Sequence, residues 1–571
     1  MYAGRVANLA PAGIDDRKLP ADGGCLHPVK MHAPPILAAQ SWVIGVTNPH
    51  VPVDDASLSE LQEALAQGRV TSTELTRAYL ARIEAYDRHG PGLNSVRMTN
   101  PDALAIAGSL DTEKPSADRP LAGLPILLKD NIATGDRQPT TAGSLALDGA
   151  HARDDAPVVK KLRDAGAVIL GKANLTEFAN VLAIGMPSGY SSIAGYVRNP
   201  YSPKLMDHHA PVVLPGGSSA GSAVAVAAGL CAAAIGTETS GSLLSPATQN
   251  GLVTVKPTVG LISRSGIIPI SHSQDTAGPL TRTVRDSAIL LNVLAARDPD
   301  DPATHLLQRP EDYTAGLDKD GLKGARIGVP SDPGDPLNDP FYGPLTPRGK
   351  QVMAQAITVL EDLGATVVRA ALPAIGWIGG PGTTMAVLNR NPFSPLKGTA
   401  GSASLVFLYE LKRDLNLYLR DWATGTQMKT MADIIEFNTA NAGKALRYGQ
   451  DLFLAAETTR GDLSELEYKS ARAMDLAAAE RGIDTYMSRH RLDAVVFPGA
   501  SGSAIAAKPG YPSVQVPAGF ISGVGATETP DYPLGLTFAG RAWSEATLLR
   551  FAYAFEQATQ ARRPPPDLPA L

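Results

Sequence analysis

Gly216-Gly-Ser-Ser-Ala-Gly-Ser222 runs without interruption into the apolar stretch Ala223–Leu230, followed by Ala232–Ile235 and then by Gly236-Thr-Glu-Thr-Ser-Gly-Ser242. A flexible linker of glycine and serine has no reason to end directly on an apolar run. Glycines that open a helix do, because they let the backbone approach a ligand and leave the first N–H groups unpaired. The stretch therefore reads as a loop, a helix over Ser222–Leu230, a strand over Ala232–Ile235 and a second loop. The two small-residue loops are spaced to face each other across one strand and turn.

The same alternation extends outward. Leu124–Leu128 reads as a buried strand, Ala156–Ala165 as a helix and Ala167–Leu170 as the next strand, which is α/β texture. Further on, Ala494–Phe497 reads as a strand and Glu545–Gln557 as a final helix. Between them lie the Gly-, Pro-, Ser- and Thr-rich residues 375–403, which look like surface loops, and helical stretches over 404–490. Upstream, Ser57-x-x-Glu60 and Thr71-x-x-Glu74 are capping boxes ahead of Leu61/Leu65 and Leu75/Tyr79/Ile83/Tyr86, and predict two amphipathic helices. Residues 1–50 carry Pro11, Pro20, Pro28, Pro34, Pro35 and Pro49, so no long helix forms there. Neither an internal repeat nor a clean linker divides the chain, which argues for one domain despite its 571 residues.

Composition narrows the function. Hydrophobic residues make up 44% and charged residues 19%, enough apolar material for a large core and against long disorder. The 51 Lys and Arg against 56 Asp and Glu leave a net charge of −5, so nucleic acid and anionic membrane are poor partners. The longest apolar run, Ala223–Ile235, is too short to span a bilayer, which takes about 20 residues. Ile36–Val46 is spoiled as a signal-peptide core by Gln40, Ser41 and the prolines before it; no targeting signal is read, and a cytoplasmic location is expected. The only cysteines are Cys25 and Cys231, so disulfides do not hold this fold, and Cys231 reads as a small buried hydrophobe. The ten histidines form no HExxH or comparable metal spacing, and the pair His208-His209 sits in a polar, Pro-rich stretch.

Three segments invite chemistry. Gly166-Ala-Val-Ile-Leu-Gly171-Lys172 fits most of the P-loop pattern, but Ala173 replaces the magnesium-binding hydroxyl and the four intervening residues are apolar, as in a strand. Gly217-Ser-Ser219-Ala-Gly221 fits the nucleophile-elbow pattern and would make Ser219 a nucleophile, although Pro215 and two glycines intervene where a strand should lead in. Lys129 ends the apolar strand Leu124–Leu128, where desolvation favours a neutral amine able to serve as a base for a serine. The residues alone leave a Ser/Lys hydrolase, the elbow reading and a plain salt bridge at Lys129 open.

Taken together, Gly123-Leu-Pro-Ile-Leu-Leu-Lys129-Asp-Asn131, Gly216–Ser222, Gly236–Ser242, Lys256-Pro-Thr258, Ser273-Gln-Asp-Thr-Ala-Gly-Pro279 and Gly510-Tyr-Pro-Ser-Val-Gln-Val-Pro-Ala-Gly-Phe520 resemble the amidase signature family. Thr140-Thr-Ala-Gly-Ser144, Gly171–Asn180, Gly266-Ile-Ile-Pro-Ile270 and Gly540-Arg-Ala-Trp-Ser-Glu545 are most similar to its peptide amidase branch. The resemblance implies one large α/β domain whose mixed central sheet is covered by helices on both faces. On it the chain divides into an arm (1–50), the amidase domain (51–565) and a tail (566–571). The domain itself divides into N-terminal helices (51–118), the signature core (119–290), helical and loop insertions (291–490) and a C-terminal return to the core (491–565).

The resemblance also implies roles. Ser242 matches the nucleophile, Ser218 the bridging serine of a cis-Ser triad and Lys129 the base. Backbone N–H groups of Thr239, Ser240, Gly241 and Ser242 would hold the oxyanion, and Ser219 and Thr237 are either supporting hydrogen-bonders or structural loop residues. No cofactor and no metal is implied. The arginine common after the nucleophile is absent, since Ser242 is followed by Leu243-Leu244, which weakens the match to the catalytic chain of the transfer-RNA amidotransferase. The expected substrate is a small or peptidic amide, including C-terminal peptide amides, lined by loops around 185–214 and 375–410; an acylamide or aryl-amide is the alternative, and a monomer or homodimer is expected.

Overall fold

Eleven strands form one mixed sheet: β1 (Val96–Thr99), β2 (Pro125–Lys129), β3 (Val168–Ala173), β4 (Ala233–Glu238), β5 (Val253–Lys256), β6 (Thr276–Thr281), β7 (Arg326–Val329), β8 (Thr366–Arg369), β9 (Ala494–Pro498), β10 (Ser513–Ile521) and β11 (Tyr532–Ala539). The computed structural model that shows this describes residues 52–571 except 114–117, 206–210, 311, 332–340, 373–403 and 522–530. The expectations for the arm 1–50, for Cys25, for His208-His209 and for the loops of 375–403 lie outside those residues.

The spatial order is β1-β3-β2-β4-β6-β5-β10-β11-β9-β7-β8. β2 runs parallel to β3 and β4, and β7 runs parallel to β8 and β9; the remaining pairings are antiparallel. β2, β3 and β4 are buried along their full length, as parallel strands covered on both faces must be, which is why they read as unbroken apolar runs. The apolar residues of the P-loop lookalike are therefore β3, not a phosphate-cradling loop. Residues 291–490, expected to be helical and loop insertions, in fact add two strands to this sheet: β7 and β8 flank the helix Pro347–Asp362 as a parallel β-α-β unit. At four residues each they are too short for a periodic signal, and β8 has exposed ends.

The helices flank this sheet. Leu58–Ala66 and Ser72–Arg82 each carry the expected reciprocal capping box. The helix after the first glycine loop, Ala220–Ala227, starts two residues earlier than its apolar run suggests, and every residue in it is buried. Close approach explains its glycine: a Cβ at Gly221 would lie 2.3 Å from the carbonyl oxygens of Asn174 and Ser95. Cys231 is buried and free. Among the described residues no helix is long and apolar enough to cross a membrane.

Candidate active site

β2 and β4 end side by side, with Leu128 in register with Ile235, so the residues just past both ends share one depression at the carboxyl edge of the parallel wing. Ligands of open α/β sheets bind at such edges. Lys129, the last residue of β2, is wholly buried. Its Nζ donates to Ser218 Oγ at 2.8 Å, to Thr237 Oγ1 at 2.8 Å and to the Thr237 carbonyl at 3.3 Å. Asn131 Nδ2 donates to the same Thr237 hydroxyl at 3.0 Å. The partners of the amine are thus hydroxyls and a carbonyl, not the carboxylate of a salt bridge. Burial pushes its pKa down to about 7, against the opposing charges of Asp275 and Glu238.

The two small-residue loops meet. Ser219 N donates to the Ser242 carbonyl at 3.2 Å, joining the first loop to the second. The Gly217–Ser218 peptide is cis, and the Ser218 carbonyl accepts from Thr176 N at 3.1 Å. Ser219 Oγ donates to the Thr237 carbonyl at 3.0 Å and accepts from Thr237 N at 3.2 Å, so this hydroxyl is committed to the end of β4. That commitment argues against the elbow reading. Relative exposure ranks the three candidate serines: Ser242 is 8% exposed, Ser218 1% and Ser219 0%, leaving Ser242 the most accessible of them. Among the described residues Ser242 Oγ has no hydrogen-bond partner; catalytic bonds of this kind often close only around substrate.

The second loop owes its shape to a residue that the sequence reading passes over. Glu238 is buried, and its carboxylate accepts from the backbone N–H groups of Gly241 (2.7 Å), Leu243 (2.7 Å) and Leu244 (3.0 Å). This corrects one expectation: the Gly241 N–H is engaged by Glu238 and is not free for an oxyanion. The N–H groups of Thr239, Ser240 and Ser242 have no such partner among the described residues. A lone acid in a loop otherwise built of Gly, Ser and Thr was the available signal for Glu238, since a buried carboxylate amid N–H groups organises a turn.

A cavity of about 890 Å³ lies beside this edge and is lined by Thr239 and by Asn131 and Thr237, the hydrogen-bonded surroundings of Lys129, while Lys129, Ser218 and Ser242 themselves do not line it. Its walls come from residues 264–276 and from the helix Leu405–Asp421, with Ile267, Ile268, Ile270, Tyr418 and Trp422 as its apolar surface. No described residue of 185–214 lines it, although Ser188 of that loop packs against Gly217, where a Cβ would lie 3.0 Å from the Ser188 side chain; residues 206–210 and the 375–403 part of the other loop lie outside the described residues. His272, Glu410 and Asp414 cluster in one wall with ligand atoms within 4.8 Å of one another. They are already wired together: His272 Nδ1 lies 2.8 Å from Asp414, while Glu410 accepts from Ser273 Oγ and Tyr468 at 2.9 and 2.7 Å. Burial works against a charge on His272, but Asp414 outweighs it and raises the imidazole pKa.

The family model described as Amidase matches residues 74–549. The chain belongs to the amidase family. It is 38% identical over 523 residues to a probable amidase of Arabidopsis thaliana, covering 90% of this chain and 92% of that one. It superposes on the peptide amidase of Stenotrophomonas maltophilia with a TM-score of 0.77 at 43% identity, over 90% of this amidase and 99% of that one. One of the subunits of the glutamyl-tRNA(Gln) amidotransferase of Geobacter metallireducens is 33% identical over 525 residues, 88% of this chain and 97% of that one. The amidase is a hydrolase acting on C–N bonds, and its kinship lies with the peptide amidase branch.

Proposed function

We propose that this amidase cleaves the terminal carboxamide of peptidic amides through an acyl-enzyme on Ser242, with Ser218 and Lys129 as proton relay. The observation that carries the reading is the 2.8 Å contact of Lys129 Nζ with Ser218 Oγ, made by an amine that burial has brought to a pKa of about 7. Neutral Lys129 accepts the Ser218 proton while Ser218 accepts that of Ser242, whose oxygen attacks the amide carbon. Reversal of the relay protonates the departing ammonia, and water then releases the acid. The N–H groups of Thr239, Ser240 and Ser242 stabilise the oxyanion; loss of one such donor costs about 3–4 kcal/mol. Ser219 and Thr237 serve in support, one tying the loops and the other sharing its hydroxyl between Lys129 and Asn131.

The cavity supports a peptidic substrate over a minimal one, because about 890 Å³ with an apolar face accommodates several residues. An acylamide or aryl-amide remains the alternative within the same chemistry. The likeness to the amidotransferase chain favours a second reading, a catalytic component that works only with partner chains; the missing arginine after Ser242 counts against it. Ammonia or amine release from the isolated chain, measured on peptide amides, aliphatic amides and anilides, tests these readings together. Turnover of anilides alone selects the aryl-amide alternative, and turnover of none selects the partner-dependent reading. A serine-reactive phosphonate followed by intact mass should label the wild type and not Ser242→Ala; labelling that survives this change removes Ser242 as nucleophile.

A further inference from the structure

The oxyanion loop is gripped from outside as well as by Glu238. β4 and β6 pair antiparallel with Glu238 opposite Thr276, so the residues just before β6 lie alongside those just after β4. There, Thr239 is held at two points by consecutive residues. Asp275 accepts from Thr239 Oγ1 through one carboxylate oxygen and, through the other, from the N–H groups of Ile270 and Ser271 at 2.8 and 2.9 Å. Gln274, itself buried, donates from Nε2 to the Thr239 carbonyl at 3.4 Å. A trans peptide is planar, with its C=O and N–H pointing in opposite directions, so holding the Thr239 carbonyl aims the Ser240 N–H.

The grip has its own foundation. Ser271 and Ser273 donate through their hydroxyls to Glu410, and the His272 N–H donates to Asp414 at 3.0 Å, so the turn is bolted to the helix Leu405–Asp421. Thr239 is therefore held against a surface that does not depend on the two serine loops. We infer that Gln274 and Asp275 are positioning residues that hold the Thr239–Ser240 peptide with its N–H turned toward the acyl oxygen. Neither exchanges a proton in the relay; both act through Thr239, and kcat is compared above the Lys129 inflection because the charge of Asp275 also raises that pKa. The inference rests on the amide-hydrolase reading above.

The test is steady-state kinetics on a peptide amide for Asp275→Ala, Asp275→Asn, Gln274→Met, Thr239→Val and the Asp275→Ala/Thr239→Val double variant, with thermal melts to establish folding. Asp275→Ala is expected to lower kcat about 100-fold, the scale of one lost oxyanion donor, with KM within about twofold. A peptide aldehyde, which forms a tetrahedral adduct on the serine, should bind more weakly by a similar factor. Asp275→Asn keeps an acceptor for Ile270 and Ser271 and a polar partner for Thr239, and should recover most of kcat. The double variant should be no slower than Asp275→Ala by more than about threefold, because both changes remove one tether. A kcat within threefold of wild type, a loss carried by KM, multiplying single effects, or an Asn variant as slow as the Ala variant each overturns the inference. If Asp275→Ala fails to fold, Gln274→Met carries the same expectation at about 10-fold. Phosphonate labelling separates the two levels: a wild type that labels at Ser242 while the variant kinetics fail sinks only the positioning role, and a wild type that does not label sinks the hydrolase reading with it.

Discussion

Lys129 and Lys172 lie at the ends of neighbouring parallel strands, both wholly buried, both with an ammonium pKa that desolvation pushes down, Lys129 to about 7 and Lys172 to about 8. Their partners differ. Lys172 Nζ donates to the Ile132 carbonyl and to Thr140 Oγ1, which stitches β3 to the segment after β2. Lys129 Nζ faces Ser218 Oγ and Thr237 Oγ1, beside the cavity and next to the point where Ser219 ties the two serine loops together. Each amine meets a carbonyl and a threonine hydroxyl; Lys129 meets in addition Ser218 Oγ, the hydroxyl on the loop that Ser219 joins to the Ser242 carbonyl. A depressed lysine pKa is thus a mark of burial, and the neighbouring acceptor decides whether the amine becomes a base.

The comparison breaks most visibly by removing each amine in turn. Lys129→Ala should lower kcat by about 10³-fold, as expected for loss of a general base, while far-UV circular dichroism stays near wild type and loss of the buried donor costs about 1–3 kcal/mol of stability. If it keeps near-wild-type turnover at neutral pH, the relay is wrong. The pH profile sharpens the same contrast. The active form needs neutral Lys129, so kcat/KM should rise as pH increases through about 7 and level off above it, and in Lys172→Met the inflection should stay where it is. An inflection that moves or vanishes in Lys172→Met would assign the titration to the wrong lysine. Smaller is the stability effect of that variant: the Ile132 carbonyl and Thr140 lose a buried donor, which should cost about 1–3 kcal/mol in urea unfolding with turnover largely kept. Smallest is Ser219→Ala, which removes one hydrogen-bonded hydroxyl from the base of the loops; about 1 kcal/mol of stability should go, and phosphonate labelling should persist. Loss of labelling there would revive Ser219 as nucleophile.

Much of the wing that carries the site is readable along the chain. β2, β3 and β4 are continuous apolar runs because both their faces are covered, and the helices Leu58–Ala66 and Ser72–Arg82 announce themselves by reciprocal caps. The strands β5 to β8 are harder: β5, β7 and β8 span four residues each, and β6 contains Gly278 and Pro279, which local pattern reads as a turn. Their strand character comes from pairing with neighbours distant in the chain, so no window of sequence contains it.

The candidate site divides the same way. Apolar patterning along the chain was enough to offer Lys129 as a candidate base and to dismiss the Gly166–Lys172 lookalike, whereas Ser218 and Ser242 were assigned through the resemblance to the amidase signature family and not by local pattern. Only the folded molecule shows that Ser219 is committed to the Thr237 backbone, that Glu238 occupies the Gly241 N–H, and that Asp275, 36 residues further along the chain, grips Thr239. Which donor meets which acceptor depends on distances of a few ångströms between segments far apart in sequence, and those distances exist only once the sheet has closed its register.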